Sequence, residues 1–255
     1  MRNDRSNANH AMRLLLSLMM LALARPCLAQ LRVDTVRAGG ARVQVVRVDL
    51  RGAEVRMLWK DEAGAPFRST RGVERWARAK GLALLAVANA GIFDPDSTPT
   101  GLHVERGRVL DALNLRRASG NFYLRPNAVF AILRDGTARI VESRDARRLR
   151  MAEATQSGPA LVLGGRIHPA FSPPPGGTPL ERSAVGVCGP RQVVLARTVD
   201  GTGITLYELA RLFRDRLGCP DALFLDGNRT ALHLPGAAPR HADGFVGFIG
   251  VFARR

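Results

Sequence analysis

Lysine is almost missing from this chain. Of 38 basic residues only Lys60 and Lys80 are lysine, and the remaining 36 are arginine. Aromatics make up 5% of the sequence, with two Trp and two Tyr, and no aromatic-rich strand pair offers a platform for base stacking. The formal charge of +16 therefore does not by itself point to nucleic acid. The arginines are spread over the whole length, as on a solvated surface, and an anionic substrate or envelope polymer suits them better. Other absences narrow the chemistry. There is no G-x-S-x-G elbow, because Gln156-Ser157-Gly158-Pro159 lacks its first glycine. Neither a P-loop nor a dinucleotide fingerprint occurs. No C-x-x-C and no His/Cys cluster has metal-ligand spacing.

Long apolar runs are also scarce. One, Leu14 to Ala24, follows Arg2, Arg5 and Arg13 and precedes Arg25-Pro26-Cys27-Leu28-Ala29. Basic start, apolar stretch and small residue before Gln30 predict a signal peptide over residues 1–29, with Met12 as an alternative start. Eleven residues fall short of the roughly 20 that span a bilayer, so cleavage is preferred to anchoring. No later segment is long and apolar enough to cross a membrane, and the expected product is periplasmic or secreted. About 226 residues remain, with no evident linker, which predicts one domain over residues 30–255. Only Cys188 and Cys219 are left there. In an oxidising compartment such a pair often bridges, but spacing does not show that they meet.

Alternating residues over Arg42–Leu50, and less cleanly over Glu54–Trp59, predict an opening hairpin around Arg51-Gly52. A helix is expected over Val73–Lys80 with Gly81 after its end, then a buried apolar strand over Leu82–Ala88. Short strands follow near 102–105, 127–133, 138–142, 160–163, 184–188 and 192–197. Thr205-x-x-Glu208 is a capping box opening a helix over Leu206–Leu217, which Gly218 ends. Strands over 231–234 and 245–252 close the chain. Ser172-Pro-Pro-Pro-Gly-Gly-Thr-Pro179 reads as an exposed loop, placed where a lid would lie.

One pattern occurs twice. Residues 75–91 run helix, Gly81, apolar strand, Asn89, Gly91; residues 212–227 run helix, Gly218, apolar strand, Asp226, Gly227. Both units deliver a polar side chain to a strand end at a glycine turn. The expectation is that the two turns lie side by side and line one pocket.

Six segments in register resemble the phosphodiester glycosidase family, in the wording of a bacterial exported branch. They are Asn89-Ala-Gly91-Ile-Phe93, Pro99-Thr-Gly101-Leu-His-Val-Glu105, Gly120-Asn121-Phe122, Gln156-Ser157-Gly158-Pro159, Arg182-Ser-Ala-Val-Gly186 and Leu225-Asp226-Gly227. The resemblance runs from about Asn89 to Phe252. It implies an α+β single domain of mixed β-sheets with a few packed helices, and a site formed by these loops. It also implies a hydrolase acting on a sugar–phosphodiester in a carbohydrate or polysaccharide.

Glycoside cleavage needs one or two carboxylates, while a phosphate monoester leaves with little protonation, its second pKa being about 6. Asp226 is the candidate nucleophile or base, and Glu105 the candidate second carboxylate. Arg182 is the candidate phosphate clamp, since a guanidinium fork matches phosphate oxygens. Asn89 and Gln156 would orient sugar hydroxyls. Gly91, Ser157, Gly227 and Thr230 belong to the same turns, and His168 is either a general acid or base or a structural histidine. No cofactor is specified, although Asp226 and nearby oxygens could hold Ca²⁺ or Mg²⁺. The family usually reads Asp-Gly-Gly-x-Ser where this chain has Asp226-Gly227-Asn228-Arg229-Thr230. Thr230 keeps a hydroxyl, but Asn228 and Arg229 fill space that a glycine leaves open, which weighs against an N-acetylglucosamine pocket. The alternative reading is a glycan-binding domain of the same fold without turnover.

Overall fold

The computed structural model describes residues 31–254 except Pro175, Asp200, Asn228 and 238–243. The expected signal peptide lies outside the described residues. The described residues form three sheets. The largest runs in the order β1 (Arg32–Ala38), β2 (Ala41–Asp49), β13 (Gln192–Thr198), β12 (Arg182–Gly189), β14 (Asp221–Gly227), β10 (Ala160–Leu163), β11 (Arg166–Ile167). A second runs β15 (Leu232–His233), β4 (Leu84–Asn89), β16 (Phe248–Ala253), β3 (Ala53–Leu58). The third runs β6 (Arg108–Asp111), β5 (His103–Glu105), β9 (Met151–Ser157), β7 (Ala128–Leu133), β8 (Ala138–Glu142).

Every strand pairing among the described residues is antiparallel, so the sheets are not mixed in direction, and the single domain is predominantly β. One core joins all three sheets. Val46, Val185 and Leu223 from the first meet Val55, Ala86 and Val251 from the second and Phe130 and Ile140 from the third. Each of these valine, leucine, isoleucine and phenylalanine side chains contributes about 1.5–3 kcal/mol by leaving water.

The two α-helices among the described residues cover outer faces. Helix α1 (Thr70–Ala79) is capped by Ser69, whose hydroxyl accepts from Gly72 N–H at 3.0 Å. Its Val73 and Ala77, one turn apart, pack with Val87 and Phe248 of the second sheet. Gly81 follows at φ +63°, a left-handed value that favours glycine at a helix end. Helix α2 (Leu206–Arg211) has both arms of the Thr205/Glu208 capping box, then widens into a π-turn over Leu212–Arg216. It covers the first sheet through Leu209, Leu212 and Phe213. Cys188 and Cys219 are disulfide-bonded, tying the far end of β12 to the chain that leaves α2. No helix among the described residues is long and apolar enough to cross a membrane.

The opening hairpin is not where the alternation suggested. β2 and β3 part into different sheets, and the true hairpin is β1–β2, closed by Gly39 and Gly40 at φ +55° and +78°. Two positive φ values in a two-residue loop match strand twist, a geometry open to glycines. Arg51-Gly52 instead carries the chain from one sheet to the next.

Candidate active site

Strand ends from all three sheets meet at one place. β4 ends at Asn89, β9 at Ser157 and β14 at Gly227, while β12 begins at Arg182. A register shift between Ser183 and Ala184 sets Asp226 opposite Ser183 and Phe224 opposite Ala184. Such a bulge re-aims the residue at the end of a ladder.

Asn89 is buried at this junction. Its Nδ2 donates to Ser183 Oγ at 2.9 Å and to Ala90 O at 3.0 Å, while its Oδ1 accepts from Ala231 N–H at 2.9 Å. Ser183 Oγ in turn donates to Asp226 O at 3.3 Å. The two glycine turns that echo one another in the sequence are thus joined through a single hydroxyl. Ser183 was not singled out from the sequence, although it stands beside Arg182 in one of the six motifs. The matching of Asn89 and Asp226 as partner turns was the signal that something must bridge them.

Asp226 is half-buried. Burial pushes its carboxyl up to about 6, against the lowering effects of the Gly227 N–H, which donates to Oδ1 at 2.7 Å, and of the Arg229 charge. At neutral pH it is mostly ionised and basic enough to accept a proton. Asn228 lies outside the described residues.

Arg182 is 5% exposed. Its Nε donates to Ile204 O at 2.8 Å and one terminal nitrogen to Thr178 O at 3.0 Å, and its guanidinium lies over the Phe224 ring. The other terminal nitrogen lies 3.6 Å from where a Cβ on Gly227 would stand. No carboxylate among the described residues pairs with it, and burial lowers its pKa to about 10, which leaves it charged at neutral pH. The proline-rich segment therefore reaches this site through the Thr178 carbonyl.

Gly91 packs directly on β9. Its N–H donates to Thr155 Oγ1 at 3.2 Å, and a Cβ there would stand 2.3 Å from Gln156 O. Ser157 Oγ donates to Leu225 O at 3.0 Å, tying β9 to β14 beside Asp226. Thr230 is buried, and its hydroxyl has no hydrogen-bond partner among the described residues. It precedes Ala231, which exchanges two hydrogen bonds with Asn89. A buried hydroxyl in this state is a ready partner for a ligand.

Other expected residues sit differently. Gln156 is not in a turn but inside β9, and its amide is fully occupied. Oε1 accepts from Leu102 N–H and Asn114 N–H, while Nε2 donates to Asn114 O and Ser143 Oγ. Asn89 is equally engaged. The expectation that these two amides face a sugar is revised: hydrogen bonds that brace the loops leave them no free donor. Glu105 accepts from Trp59 N–H at 2.7 Å and stands 2.9 Å from His103 Nε2, in the five-stranded sheet. No hydrogen bond among the described residues links it to Asp226 or Arg182. His168 stacks on Phe171, its Nδ1 accepts from Ala170 N–H, and its ring lies against the Leu124 and Arg125 backbone, with no well-formed hydrogen bond at its buried Nε2 among the described residues. Burial holds its pKa below the usual imidazole range, so it is neutral at pH 7. Among the described residues no three His, Cys, Asp or Glu side chains converge as a metal site.

The architecture is shared with solved proteins. The chain superposes with a TM-score of 0.59 and 17% identity on the catalytic domain of zebrafish N-acetylglucosamine-1-phosphodiester alpha-N-acetylglucosaminidase, auto-inhibited by its pro-peptide, over 89% of this chain and 83% of that one. A hypothetical protein from Synechocystis aligns at 0.55 with 18% identity, over 88% of this chain and 62% of its own. These likenesses establish the fold. The phosphodiester glycosidase family model matches residues 83–234, and the chain belongs to that family. The uncharacterized protein YigE of Escherichia coli K12 is 29% identical over 212 residues, 82% of this chain and 81% of YigE.

Proposed function

We propose that this protein is an exported hydrolase, periplasmic or secreted, that cleaves a sugar–phosphodiester bond in an envelope or exopolysaccharide glycan. One observation carries the reading. A buried guanidinium without a carboxylate partner among the described residues, that of Arg182, lies against Gly227, the residue next to an ionisable Asp226. Burying a charge unpaired is costly, and an arriving anion would offset that cost.

In this scheme the sugar lies over Asp226 and the phosphoryl oxygens meet Arg182. The Asp226 carboxylate acts on the sugar side, either attacking the anomeric carbon or taking a proton from water. The C–O bond to the phosphate breaks, its electron pair goes to the phosphate oxygen, and Arg182 takes up the developing charge. A phosphate needs no strong acid to leave, so the engagement of Glu105 elsewhere is compatible with turnover. The Thr230 hydroxyl supplies a polar contact, and Asn89, Ser157 and Gln156 fix the walls.

A second reading rests on the Asp226 carboxyl being held by its own Gly227 N–H. It makes the protein a glycan-binding domain without turnover. Hydrolysis of sugar-1-phosphodiesters by the purified protein separates the two. The enzyme reading expects turnover that Asp226→Asn abolishes while the fold persists. Glycan binding by a wild-type protein that turns over no such diester would establish the second.

A further inference from the structure

We infer that the cavity between the β1–β2 hairpin and helix α2 is a second saccharide subsite, which holds an anionic glycan chain at a distance from the bond being cut. This rests on the proposed anionic glycan substrate and adds a binding site outside the Asp226–Arg182 junction. The cavity measures about 340 Å³ and is walled by Arg37, Tyr207, Arg211 and Arg216, with Pro174 at its rim. That volume falls within the range of small-ligand sites.

The cavity is built by close contact. A Cβ on Gly39 would stand 2.3 Å from the Glu208 carboxyl carbon, so the hairpin tip is pressed onto the start of α2. Both carboxylates in the wall are already engaged. Glu208 accepts from Thr205 N–H and Oγ1, and Asp215 is paired with Arg211 and Arg214. The guanidinium of Arg37 makes no hydrogen bond or ion pair among the described residues, and the half-buried Tyr207 ring has Arg214 as an electrostatic neighbour. A rigid ring beside guanidinium groups suits a sugar that stacks on its apolar face and carries a carboxylate or phosphate at its edge.

Position links the cavity to the proposed site of cleavage. Val43, two residues into β2, pairs with Thr198, whose hydroxyl accepts from Arg182 N–H. The hairpin tip therefore lies at the same end of the sheet as Arg182. Pro174 is four residues from Thr178, whose carbonyl accepts from the Arg182 guanidinium. Four residues of chain span at most about 14 Å. A polymer crossing the proline-rich segment reaches both places.

The test is equilibrium binding to the signal-free chain, with polygalacturonate as the polymer probe and glucose 1-phosphate as the small one. Tyr207→Ala is expected to weaken polygalacturonate about tenfold while leaving glucose 1-phosphate unchanged. Arg37→Ala should weaken the polymer more than Arg108→Ala, which removes an equal charge from the five-stranded sheet. The subsite is overturned if wild type does not bind polygalacturonate, if Tyr207→Ala binds it normally, or if Arg108→Ala is as damaging as Arg37→Ala. Should Tyr207→Ala fail to fold by thermal unfolding, Arg37→Ala against Arg108→Ala decides. Binding needs no turnover, so a protein without hydrolase activity still gives an answer, and lost glucose 1-phosphate binding would count against the Asp226–Arg182 reading alone.

Discussion

Asn89 Nδ2 and Ser183 Oγ lie 2.9 Å apart although 94 positions separate them in sequence. Through this contact the second sheet is fastened to the ladder that ends at Asp226. Replacing Ser183 with Ala leaves one Asn89 N–H buried without a partner, a loss of about 1–3 kcal/mol. Ser183→Ala should therefore lower stability in denaturant unfolding by that amount and reduce kcat more than it raises KM. Unchanged stability and unchanged kcat would show that the bridge positions nothing.

Asp226 makes opposite demands on stability and on activity. Its folded pKa, about 6, lies above the ordinary carboxylate value. Its favourable contribution is thus complete below about pH 4 and is lost as pH rises through 6. Asp226→Asn should be more stable than wild type at neutral pH by up to about 3 kcal/mol, with the gain vanishing near pH 4. The activity assigned to Asp226 needs the ionised form, so wild-type kcat/KM should fall as pH drops below about 6. Parallel unfolding curves for wild type and variant across that range would contradict the buried-carboxyl account.

How much of this arrangement could be read in advance depends on whether the signal was local. The Thr205/Glu208 box was legible, because its two residues act within one turn, and so was Gly81 at a helix end; the Ser69 cap was not, since the first helix was expected from Val73 and begins at Thr70. Strand ends at Asn89 and Asp226 were legible from apolar runs stopping at polar residues. Pairing was not. The Arg51-Gly52 turn looks like a hairpin, yet the sheets divide there, a choice made by distant β13 and β16. β1 escaped notice because it is an edge strand with little burial, and β9 because Met151–Ser157 shows no alternation. The bulge that sets Asp226 opposite Ser183 depends on the register of two strands, which no local window contains. Glu153, with its carboxyl buried, was missed for the same reason.

Arg182 offers a test of the phosphate clamp. Lysine keeps the charge but loses the planar fork and the donors to Ile204 O and Thr178 O. Arg182→Lys should raise KM for a sugar-1-phosphodiester at least tenfold, the scale of one lost charge-assisted hydrogen bond. Hydrolysis of an aryl glycoside without phosphate, where detectable, should change far less. Equal losses on both substrates would assign Arg182 to the wall and not to the phosphate.

Glu153 introduces a second pH dependence away from the candidate site. Its oxygens accept from Met57 N–H and Arg106 N–H, and burial first, then the neighbouring Glu105 and Glu54, push its pKa up to about 7. Its contribution is complete below about pH 4.5 and disappears as pH rises through 7, a difference of up to about 3–4 kcal/mol. Glu153→Gln should flatten stability between pH 5 and 8. It should also weaken the protein at acid pH, because an amide nitrogen then faces a backbone donor. A wild-type unfolding temperature that rises over this interval would contradict the assignment.

The disulfide should matter for stability and not for chemistry. Cys188 and Cys219 close a loop across 31 positions, and restraining such a loop in the unfolded chain is worth roughly 4 kcal/mol. Cys188 stands six residues along β12 from Arg182, about 20 Å away at strand spacing. β12 is held by β13 on one side and β14 on the other, so the Arg182 end keeps its ladder when the bridge is removed. Cys188→Ser with Cys219→Ser should therefore unfold at lower denaturant by that margin. Below the transition, kcat and KM should match wild type within about twofold, since distant sites act nearly independently. A selective loss of phosphodiester turnover in the folded double variant would mean that the bridge, and not the flanking strands, holds Arg182 in place.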